Sequence, residues 1–276
     1  MFQEDILSEN GSGSVSSHEN GQSGQQIHQQ YNRISHGQAA CAALDSQARE
    51  PDRRCGAPQL RIRHVQVFAD YYRTNHWACA ESASGPGSTL EYTEQLRLSL
   101  AKIVEDYRIG CVLDAPCGDY NWFRLVELPP GTKYIGGDIV EALVAVNLKK
   151  YGTCRSSFRV MDITRDALPA ADLWLCRDCW IHLPNRDIRK AIANFEASKI
   201  RLIATTTYPD VKGNPDILVG GFRPLNLEIP PFNWCKPLCY LHDSISGWPN
   251  RKLGLWDRNM LQGSAAADLI GSVHPC

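Results

Sequence analysis

Short apolar runs alternate with stretches of helical periodicity through the middle of the chain. Four runs, at 111–114, 133–138, 157–161 and 171–176, have the length and apolar content of strands. Strands that alternate with helices along a chain are typical of a mostly parallel sheet with helices on its faces. We therefore predict an α/β fold built on a doubly wound, mostly parallel sheet. The other predicted elements are helices at 67–73, from 89 to about 107, and at 121–128, 139–150 and 185–197, and strands at 200–206, 238–243 and 253–258.

Two of these helices have polar residues at their predicted starts. Ser88 and Glu91 have the spacing of a capping box, in which each side chain accepts a backbone N–H at the helix start. Asn185 is placed to cap the later helix, and Asp187 suits its first turn. Apolar residues at helical spacing follow both starts, so both helices are expected to pack on the sheet.

The composition suits one domain with a polar extension at each end. The chain has 276 residues, of which 43% are hydrophobic, enough for a domain with a buried sheet. Residues 1–60 are rich in Ser, Gly, Gln and Asn, so we predict a disordered tail there. The folded domain is predicted over 65–262, and 263–276 is expected to be flexible.

The charge and hydropathy of the chain argue against two kinds of partner. A net charge of −1 does not favour nucleic acid, and the small basic cluster at 53–54 and 61–64 is expected to be a solvated face. No apolar run approaches the ~18 residues needed to span a bilayer, and residues 1–7 lack signal-peptide features. We expect a cytoplasmic protein without a membrane partner, and the pattern assigns no oligomeric state.

The cysteines are expected to be reduced. Their number, 11, is odd, and several lie inside apolar strands, which indicates buried thiols in a reducing compartment. Two pairs, Cys176 with Cys179 and Cys235 with Cys239, offer the donors of a structural zinc site. Because the first pair flanks a strand end and the second lies among prolines and aromatics without a knuckle glycine, we predict no metal.

Carboxylates follow three consecutive predicted strands. Asp114 ends the first and precedes a tight turn that contains Gly118, Asp138 ends the second, and Asp162 ends the third. In doubly wound sheets, a strand, a tight turn and a helix start place backbone N–H groups at the carboxyl edge, where an acid on the next strand can bind a ribose diol. The sequence therefore predicts a nucleotide-type pocket.

These features resemble the class I S-adenosylmethionine-dependent methyltransferases, over roughly residues 67 to 260. The chain departs from their D-x-G-x-G-x-G turn, because Pro116 and Tyr120 stand where that motif has glycine. The resemblance implies a Rossmann-like sheet and S-adenosyl-L-methionine as cofactor, with the acceptor unassigned. The motifs that carry it are Asn75-x-Trp77, Glu81-Ser82-x-Ser84-Gly85-x-Gly87-Ser88, Asp114-Ala115-Pro116-Cys117-Gly118-Asp119, Cys176-Arg177-Asp178-Cys179 and Arg223-Pro224-Leu225-Asn226-Leu227.

The resemblance also implies which residues bind the cofactor. Asp114 would orient the turn or meet the methionine ammonium, Asp138 would bind the ribose, and Asp162 would lie near the adenine. Arg177 would reach the cofactor carboxylate or an acidic acceptor. The full predicted set is Asp114, Pro116, Cys117, Gly118, Asp138, Ile139, Asp162, Ile163 and Arg177.

Asp178 and His182 are the predicted catalytic pair. They stand four residues apart just after the fourth strand, so a helical turn would place them on one side, with the carboxylate orienting the imidazole as a base. The alternative is a packing histidine and a turn aspartate. Trp77, Tyr120 and Trp122 are candidates to line the pocket.

The leading functional hypothesis is methyl transfer to a hydroxyl or amine of a small-molecule or carbohydrate-like acceptor. A NAD-dependent oxidoreductase is an alternative, although the chain lacks a G-x-G-x-x-G turn and its third quarter lacks a Tyr-x-x-x-Lys pair. A non-catalytic methyltransferase-like module is a third hypothesis, which the missing glycines at 116 and 120 leave open.

Overall fold

The computed structural model of the protein describes residues 57–244 and 250–261. These residues form helices that pack on a seven-stranded sheet. In chain order the elements are α1 Ala57–Thr74, α2 Glu94–Asp106, β1 Cys111–Asp114, β2 Lys133–Asp138, α3 Glu141–Tyr151, β3 Ser156–Val160, β4 Leu173–Cys176, α4 Asn185–Ala197, β5 Leu202–Thr207, β6 Cys239–His242 and β7 Lys252–Asp257.

The sheet has the order β3-β2-β1-β4-β5-β7-β6. Strands β1 to β5 are parallel, β7 runs antiparallel to β5, and β6 runs antiparallel to β7. The order reverses between β1 and β4, and the loops that leave a sheet on either side of such a switch point enclose a crevice. This arrangement confirms the predicted doubly wound, mostly parallel sheet.

The core lies on both faces of the sheet. In β4, Leu173 and Leu175 belong to the cluster that includes α2, whereas Trp174 belongs to the cluster that includes α4. This alternation follows from the two-residue period of a strand. All four β4 residues are buried, as expected for a central parallel strand covered on both faces.

Most predicted element bounds lie within two residues of the observed ones, but the helix predicted over 121–128 is wrong. Only a 3₁₀ turn, Phe123–Leu125, is present there. Trp122 and Phe123 are both buried, although neighbours on an α-helix point about 100° apart. The centre of the Phe123 ring lies 4.7 Å from the centre of the Tyr134 ring, so this turn is packed against β2.

The predicted capping box at Ser88 and Glu91 is also wrong. Helix α2 begins at Glu94, and Ser88 ends a separate 3₁₀ turn. The N–H of Leu90 is bound instead by the Glu81 carboxylate, at 2.7 Å. A carboxylate from the preceding loop thus satisfies a backbone donor in the segment between Ser88 and the helix.

Helix α4 begins at Asn185 as predicted, but the Asn185 side chain does not cap it. Its oxygen accepts a hydrogen bond from Arg223 Nη2 at 2.8 Å instead. Buried guanidinium donors need acceptors, and this amide supplies one.

The helix predicted at 67–73 is too short, because α1 begins ten residues earlier, at Ala57, and the last four residues of the predicted tail, 57–60, are therefore helical. The rest of that tail and the predicted C-terminal extension, 263–276, lie outside the described residues. Within the described residues, none of the helices has the length and apolar character needed to cross a bilayer.

Candidate functional site

One cavity at the carboxyl ends of β1 to β4 brings all of the predicted site residues together. It also includes residues from α1, to which the sequence assigned no role, and Ser84 and Gly85 of the loop that precedes α2, a loop that was a candidate to close over the cofactor. The predicted residues that line the cavity are Asp114, Pro116, Cys117, Gly118, Asp138, Ile139, Asp162, Ile163, Arg177, Asp178 and His182.

The turn after β1 is bound to β2 through its backbone. Cys117 N–H donates to the Gly137 carbonyl at 2.8 Å, and Gly118 N–H donates to the Asp138 carboxylate at 3.1 Å. Gly118 has a φ of 52°, and a Cβ atom there would lie 2.1 Å from Ser84 Oγ. Only glycine therefore fits this position without a shift of the neighbouring loop.

Hydrogen bonds to Asp119 hold the loop before α2 against this turn. Its carboxylate accepts hydrogen bonds from Ser82 Oγ at 2.9 Å, from the Ala83 N–H at 2.8 Å and from Ser84 Oγ at 3.2 Å. Its own N–H donates to Ser84 Oγ at 3.0 Å. Asp119 belongs to one of the sequence motifs, but no role could be predicted for it, because its partners are 35 to 37 residues away.

Asp138 is buried at the end of β2, and both of its carboxylate oxygens accept backbone N–H groups. Val140 donates to Oδ1 at 3.0 Å and Gly118 donates to Oδ2 at 3.1 Å. Burial raises the pKa of this carboxyl to about 6, against the effect of the backbone donors, which lower it. Each oxygen has a second lone pair, so the carboxylate can also accept a ligand hydroxyl.

Asp162 has one satisfied oxygen and one without a partner. Oδ1 accepts from the Thr164 N–H at 2.9 Å and from Thr164 Oγ1 at 2.6 Å, which is the turn-capping alternative. Among the described residues, none forms a hydrogen bond with the buried Oδ2. A buried acceptor left unpaired costs about 1–3 kcal/mol, so an N–H donor from a ligand would be stabilising here.

Asp114 ends β1 in a fully packed environment. The Tyr134 hydroxyl donates to its Oδ2 at 2.8 Å. Burial raises the pKa of Asp114 to about 8, although the Tyr134 hydrogen bond and the charge of Arg177 lower it. At neutral pH this carboxyl is therefore mostly protonated, and a nearby cation would favour its ionised form.

Arg177 lines the cavity, but most of its donors are bound by protein groups. Nε and Nη2 donate to the Asp243 carboxylate at 3.0 and 2.8 Å, and Nη2 also donates to the Gly87 carbonyl at 2.6 Å. Its guanidinium carbon lies 5.2 Å from the centre of the Trp122 ring. Nη1 lies 3.5 Å from the Asp178 carboxylate. Of the three guanidinium nitrogens, Nη1 is therefore the one whose N–H groups are most available to a ligand.

Asp178 binds an arginine and not His182, so the predicted orientation of His182 by this carboxylate is wrong. Arg251 Nη1 donates to Asp178 Oδ2 at 2.6 Å and to Oδ1 at 2.8 Å. Asp178 has a φ of 52°, which no helical turn adopts, so the spacing of four residues does not place the two side chains in contact.

The two arginines and two aspartates form one buried network. Arg251 Nη2 also donates to Asp243 Oδ1 at 3.1 Å, so Asp243 bridges Arg251 and Arg177. The Asp243 side chain is fully buried. The two positive and two negative charges cancel, and the network ties the end of β4 to the residues that flank β6 and β7.

His182 is oriented by a backbone carbonyl. Its Nδ1 lies 2.8 Å from the Gly221 oxygen. Because a carbonyl can only accept, Nδ1 carries the proton and Nε2 of the neutral ring is the basic nitrogen. Burial lowers the pKa of His182, and its ring packs 4.8 Å from the Trp77 ring. The site thus contains a neutral imidazole in a fixed tautomer.

Helix α1 contributes a wall of the cavity that sequence reasoning missed. His64, Phe68, Tyr71 and Tyr72 line it, and their spacing of three and four residues is the signal that would have indicated one helix face. His64 was expected on a solvated basic face, but it is buried and its Nε2 lies 3.2 Å from Asp187 Oδ2. That expectation is wrong, because the His64 ring is buried in contact with the Asp187 carboxylate of α4.

Of the three aromatic candidates, Trp77 and Trp122 line the cavity and Tyr120 does not. The Tyr120 ring packs in the core, 4.7 Å from the Tyr134 ring.

Cys176 is buried in β4, and burial raises the pKa of its thiol. In residues 57–244 and 250–261 there is no group of three or more His, Cys, Asp or Glu side chains arranged to hold a metal ion.

Comparisons with known proteins give similarity at the level of the fold. No protein-family model and no curated protein matches the chain. The structure is similar to magnesium protoporphyrin IX methyltransferase (ChlM) from Synechocystis PCC 6803 with bound SAH, at 14% identity and a TM-score of 0.49, over 74% of this chain and 100% of that one. It is similar to DhpI in its SAH complex at 15% identity and a TM-score of 0.46, over 70% of this chain and 95% of that one.

A third similar structure is the N-methyltransferase NodS from Bradyrhizobium japonicum WM9 in complex with SAH, at 15% identity and a TM-score of 0.39, over 50% of this chain and 73% of that one. At these identities the likeness concerns the fold alone. The strand order β3-β2-β1-β4-β5-β7-β6, with an antiparallel β7, is a Rossmann-like arrangement.

Proposed function

We propose that this protein is an enzyme that transfers a methyl group from S-adenosyl-L-methionine to a hydroxyl or amine of a small-molecule acceptor. One observation carries the proposal. Asp114 and Asp138 end β1 and β2, and Asp162 lies two residues after β3. All three line a single cavity, and Asp162 has a buried oxygen without a partner among the described residues. An adenosine moiety needs such acceptors for its amino group and its ribose diol.

The residues of the cavity suit the parts of this cofactor. Asp138 would accept the ribose hydroxyls, and Asp162 Oδ2 would accept the adenine amino group. Asp114 would pair with the methionine ammonium, which would offset the burial that now raises its pKa. Gly118 allows the backbone to approach the ligand closely.

The remaining predicted ligands have supporting roles in this proposal. Ile139 and Ile163 offer apolar surface to the flat adenine ring, and Cys117 shapes the turn through its backbone. Pro116 lacks an N–H and contributes its fixed φ. Arg177 would approach the methionine carboxylate through Nη1, because Asp243 and Gly87 bind its other donors.

When bound, the cofactor supplies a methyl group on a positively charged sulfur. The protein has to align the acceptor with that carbon, exclude water and accept a proton. His182 Nε2 would take the proton from the acceptor hydroxyl, and Gly221 holds the ring for this role. Because burial lowers the pKa of His182, the imidazole is already neutral at physiological pH and ready to accept.

Turnover of the donor tests this proposal. We expect the protein to convert S-adenosyl-L-methionine to S-adenosylhomocysteine in the presence of a suitable acceptor from a panel of hydroxyl and amine compounds. The His182→Ala variant should lose this turnover and keep its affinity for S-adenosylhomocysteine. Cofactor binding without turnover across the panel would instead support the non-catalytic alternative, and binding of NAD in place of S-adenosylhomocysteine would support the oxidoreductase.

A further inference from the structure

Five of the aromatic residues that line the cavity lie around His182, and we name them the aromatic chamber: Phe68, Tyr71, Trp77, His182 and Phe222. The rings follow one another in contact. Tyr71 lies 5.5 Å from Trp77, Trp77 lies 4.8 Å from His182, and His182 lies 5.9 Å from Phe222. Such separations are typical of aromatic pairs, and a planar ligand would extend the same series.

Two polar atoms of the chamber, the Tyr71 hydroxyl and His182 Nδ1, are already bound by protein carbonyls. The Tyr71 hydroxyl donates to the Gly220 carbonyl at 3.1 Å, and His182 Nδ1 donates to the Gly221 carbonyl at 2.8 Å. A ligand with many hydroxyl groups would find few partners here and would leave its own groups unpaired. The chamber therefore disfavours a carbohydrate-like acceptor.

The charges beside the chamber are also matched. Asp178 pairs with Arg251 at 2.6 Å, and Arg177 pairs with Asp243 at 2.8 Å. A charged acceptor would have to compete with one of these buried pairs. The surroundings thus favour an uncharged ligand.

From this arrangement we infer that the acceptor is an uncharged, planar aromatic molecule with a phenol-type hydroxyl, held in the aromatic chamber with the hydroxyl facing His182 Nε2. This inference rests on the proposed methyl transfer and deepens it. In the reaction, the hydroxyl oxygen forms a bond to the methyl carbon, the sulfur–carbon bond breaks with its electron pair on sulfur, and the hydroxyl proton goes to Nε2.

The strength of the base agrees with this acceptor. Burial lowers the pKa of His182, so its neutral ring is a weaker base than a free imidazole. A phenol, with an ordinary pKa of about 10 as in tyrosine, gives up its proton far more readily than water, with a pKa of about 15.7. Among hydroxyl acceptors, a phenol is therefore the one from which a weak base most readily takes the proton.

Three probes decide the inference on the unaltered protein. Calorimetry would compare 2-naphthol, decahydro-2-naphthol and methyl α-glucoside, each with and without S-adenosylhomocysteine. The first two share a carbon skeleton and a hydroxyl group and differ in aromaticity. We expect 2-naphthol to bind at least about tenfold more tightly than the saturated alcohol, which corresponds to about 1.4 kcal/mol. Equal affinities, or glucoside binding as tight as that of 2-naphthol, would overturn the inference.

Two matched variants locate the effect. Phe222→Leu removes one ring of the chamber, whereas Phe232→Leu makes the same change in the same core cluster at a residue outside the cavity lining. The ratio of the affinity for 2-naphthol to that for decahydro-2-naphthol should fall severalfold in Phe222→Leu and stay unchanged in Phe232→Leu. Equal preferences in both variants would contradict the chamber as the binding site. Thermal unfolding confirms that each variant is folded, and the comparison of probes on the unaltered protein does not depend on either.

The same titrations separate this inference from the proposed function. A protein that fails to bind S-adenosylhomocysteine would contradict the proposed function, whatever it does with 2-naphthol. A protein that binds S-adenosylhomocysteine and shows no aromatic preference would contradict the inference alone.

Discussion

His182 donates from Nδ1 to the carbonyl oxygen of Gly221 over 2.8 Å, across 39 residues of sequence. This contact gives the ring one tautomer and one orientation, which are the two properties a catalytic base needs. A backbone carbonyl thus does what the sequence pattern assigned to Asp178.

The first prediction concerns the removal of this base. His182→Gln should lower kcat by about 10²–10⁴-fold, because a glutamine amide can donate to Gly221 but cannot accept a proton. The affinity for S-adenosylhomocysteine, measured by calorimetry, should stay within about threefold of wild type. His242→Gln, at an exposed histidine on β6, is the matched control. A His182→Gln enzyme with nearly full turnover would exclude His182 as the base.

The second prediction is the pH dependence of kcat. The reaction needs a neutral His182, so the rate falls as the pH drops through the pKa of this residue. Burial lowers that pKa from its ordinary value of 6.5, so the midpoint of the acid limb should lie below 6.5. Measurement of kcat from pH 5 to pH 8 locates it. A midpoint above 6.5 would be inconsistent with a buried imidazole as the base.

The third prediction links Asp114 to cofactor binding. With a pKa of about 8, this carboxyl is mostly protonated at pH 7 in the free protein, and a bound ammonium would ionise it. Binding of S-adenosylhomocysteine at pH 7 should therefore release up to one proton. Calorimetry in buffers of different ionisation enthalpy measures this number, and Asp114→Asn should abolish the release. An uptake of protons would contradict the pairing.

Asp114 also affects the stability of the free protein. Its pKa is raised from 3.8 to about 8, so between these values the folded state keeps a proton that the unfolded state has lost. The contribution of this group to stability is complete below about pH 4 and falls as the pH rises to about 8. We expect Asp114→Asn to raise the melting temperature at pH 8 and to weaken cofactor binding.

The fourth prediction compares two glycines with positive φ. Gly118→Ala and Gly131→Ala both place an alanine in a left-handed backbone conformation, which costs about 1–2 kcal/mol. At Gly131 nothing lies within 4 Å of the added Cβ, whereas at Gly118 it would meet Ser84 Oγ at 2.1 Å. Gly118→Ala should therefore cost about 1–3 kcal/mol more in chemical denaturation. Equal costs for the two variants would show that Ser84 does not press on the turn.

The fifth prediction concerns the buried charge network. Asp243→Asn would leave two buried guanidiniums with one carboxylate, and it should reduce the free energy of unfolding by about 3–5 kcal/mol. The control is Asp106→Asn, which breaks the exposed pair with Lys102 and should cost about 0.5 kcal/mol or less. Equal, small effects in thermal unfolding would mean that Asp243 does not stabilise the end of β4.

The acids at the strand ends could be predicted from the sequence because their signal is local. Asp114 and Asp138 each end a short apolar run, and parallel strands bring their carboxyl ends to one edge. The order of the strands then places both in the same cavity without further information. The helix α4 was predictable for the same reason, since its apolar stripe repeats at helical spacing.

The rest of the site depends on contacts between distant residues. His64 and Asp187 are 123 residues apart, and Arg251 and Asp178 are 73 residues apart. No periodicity or spacing encodes such pairs, and the left-handed φ of Asp178 removes the helical geometry that the sequence suggested.

The central claim is that Asp114, Asp138 and Asp162 together hold an adenosine moiety, and titration calorimetry with S-adenosylhomocysteine tests it most directly. We predict saturable one-to-one binding that is at least about tenfold weaker in Asp138→Asn, a loss of about 1.4 kcal/mol, and unchanged in Asp106→Asn. The absence of saturable binding at high micromolar ligand, or unchanged binding in Asp138→Asn, would contradict the claim.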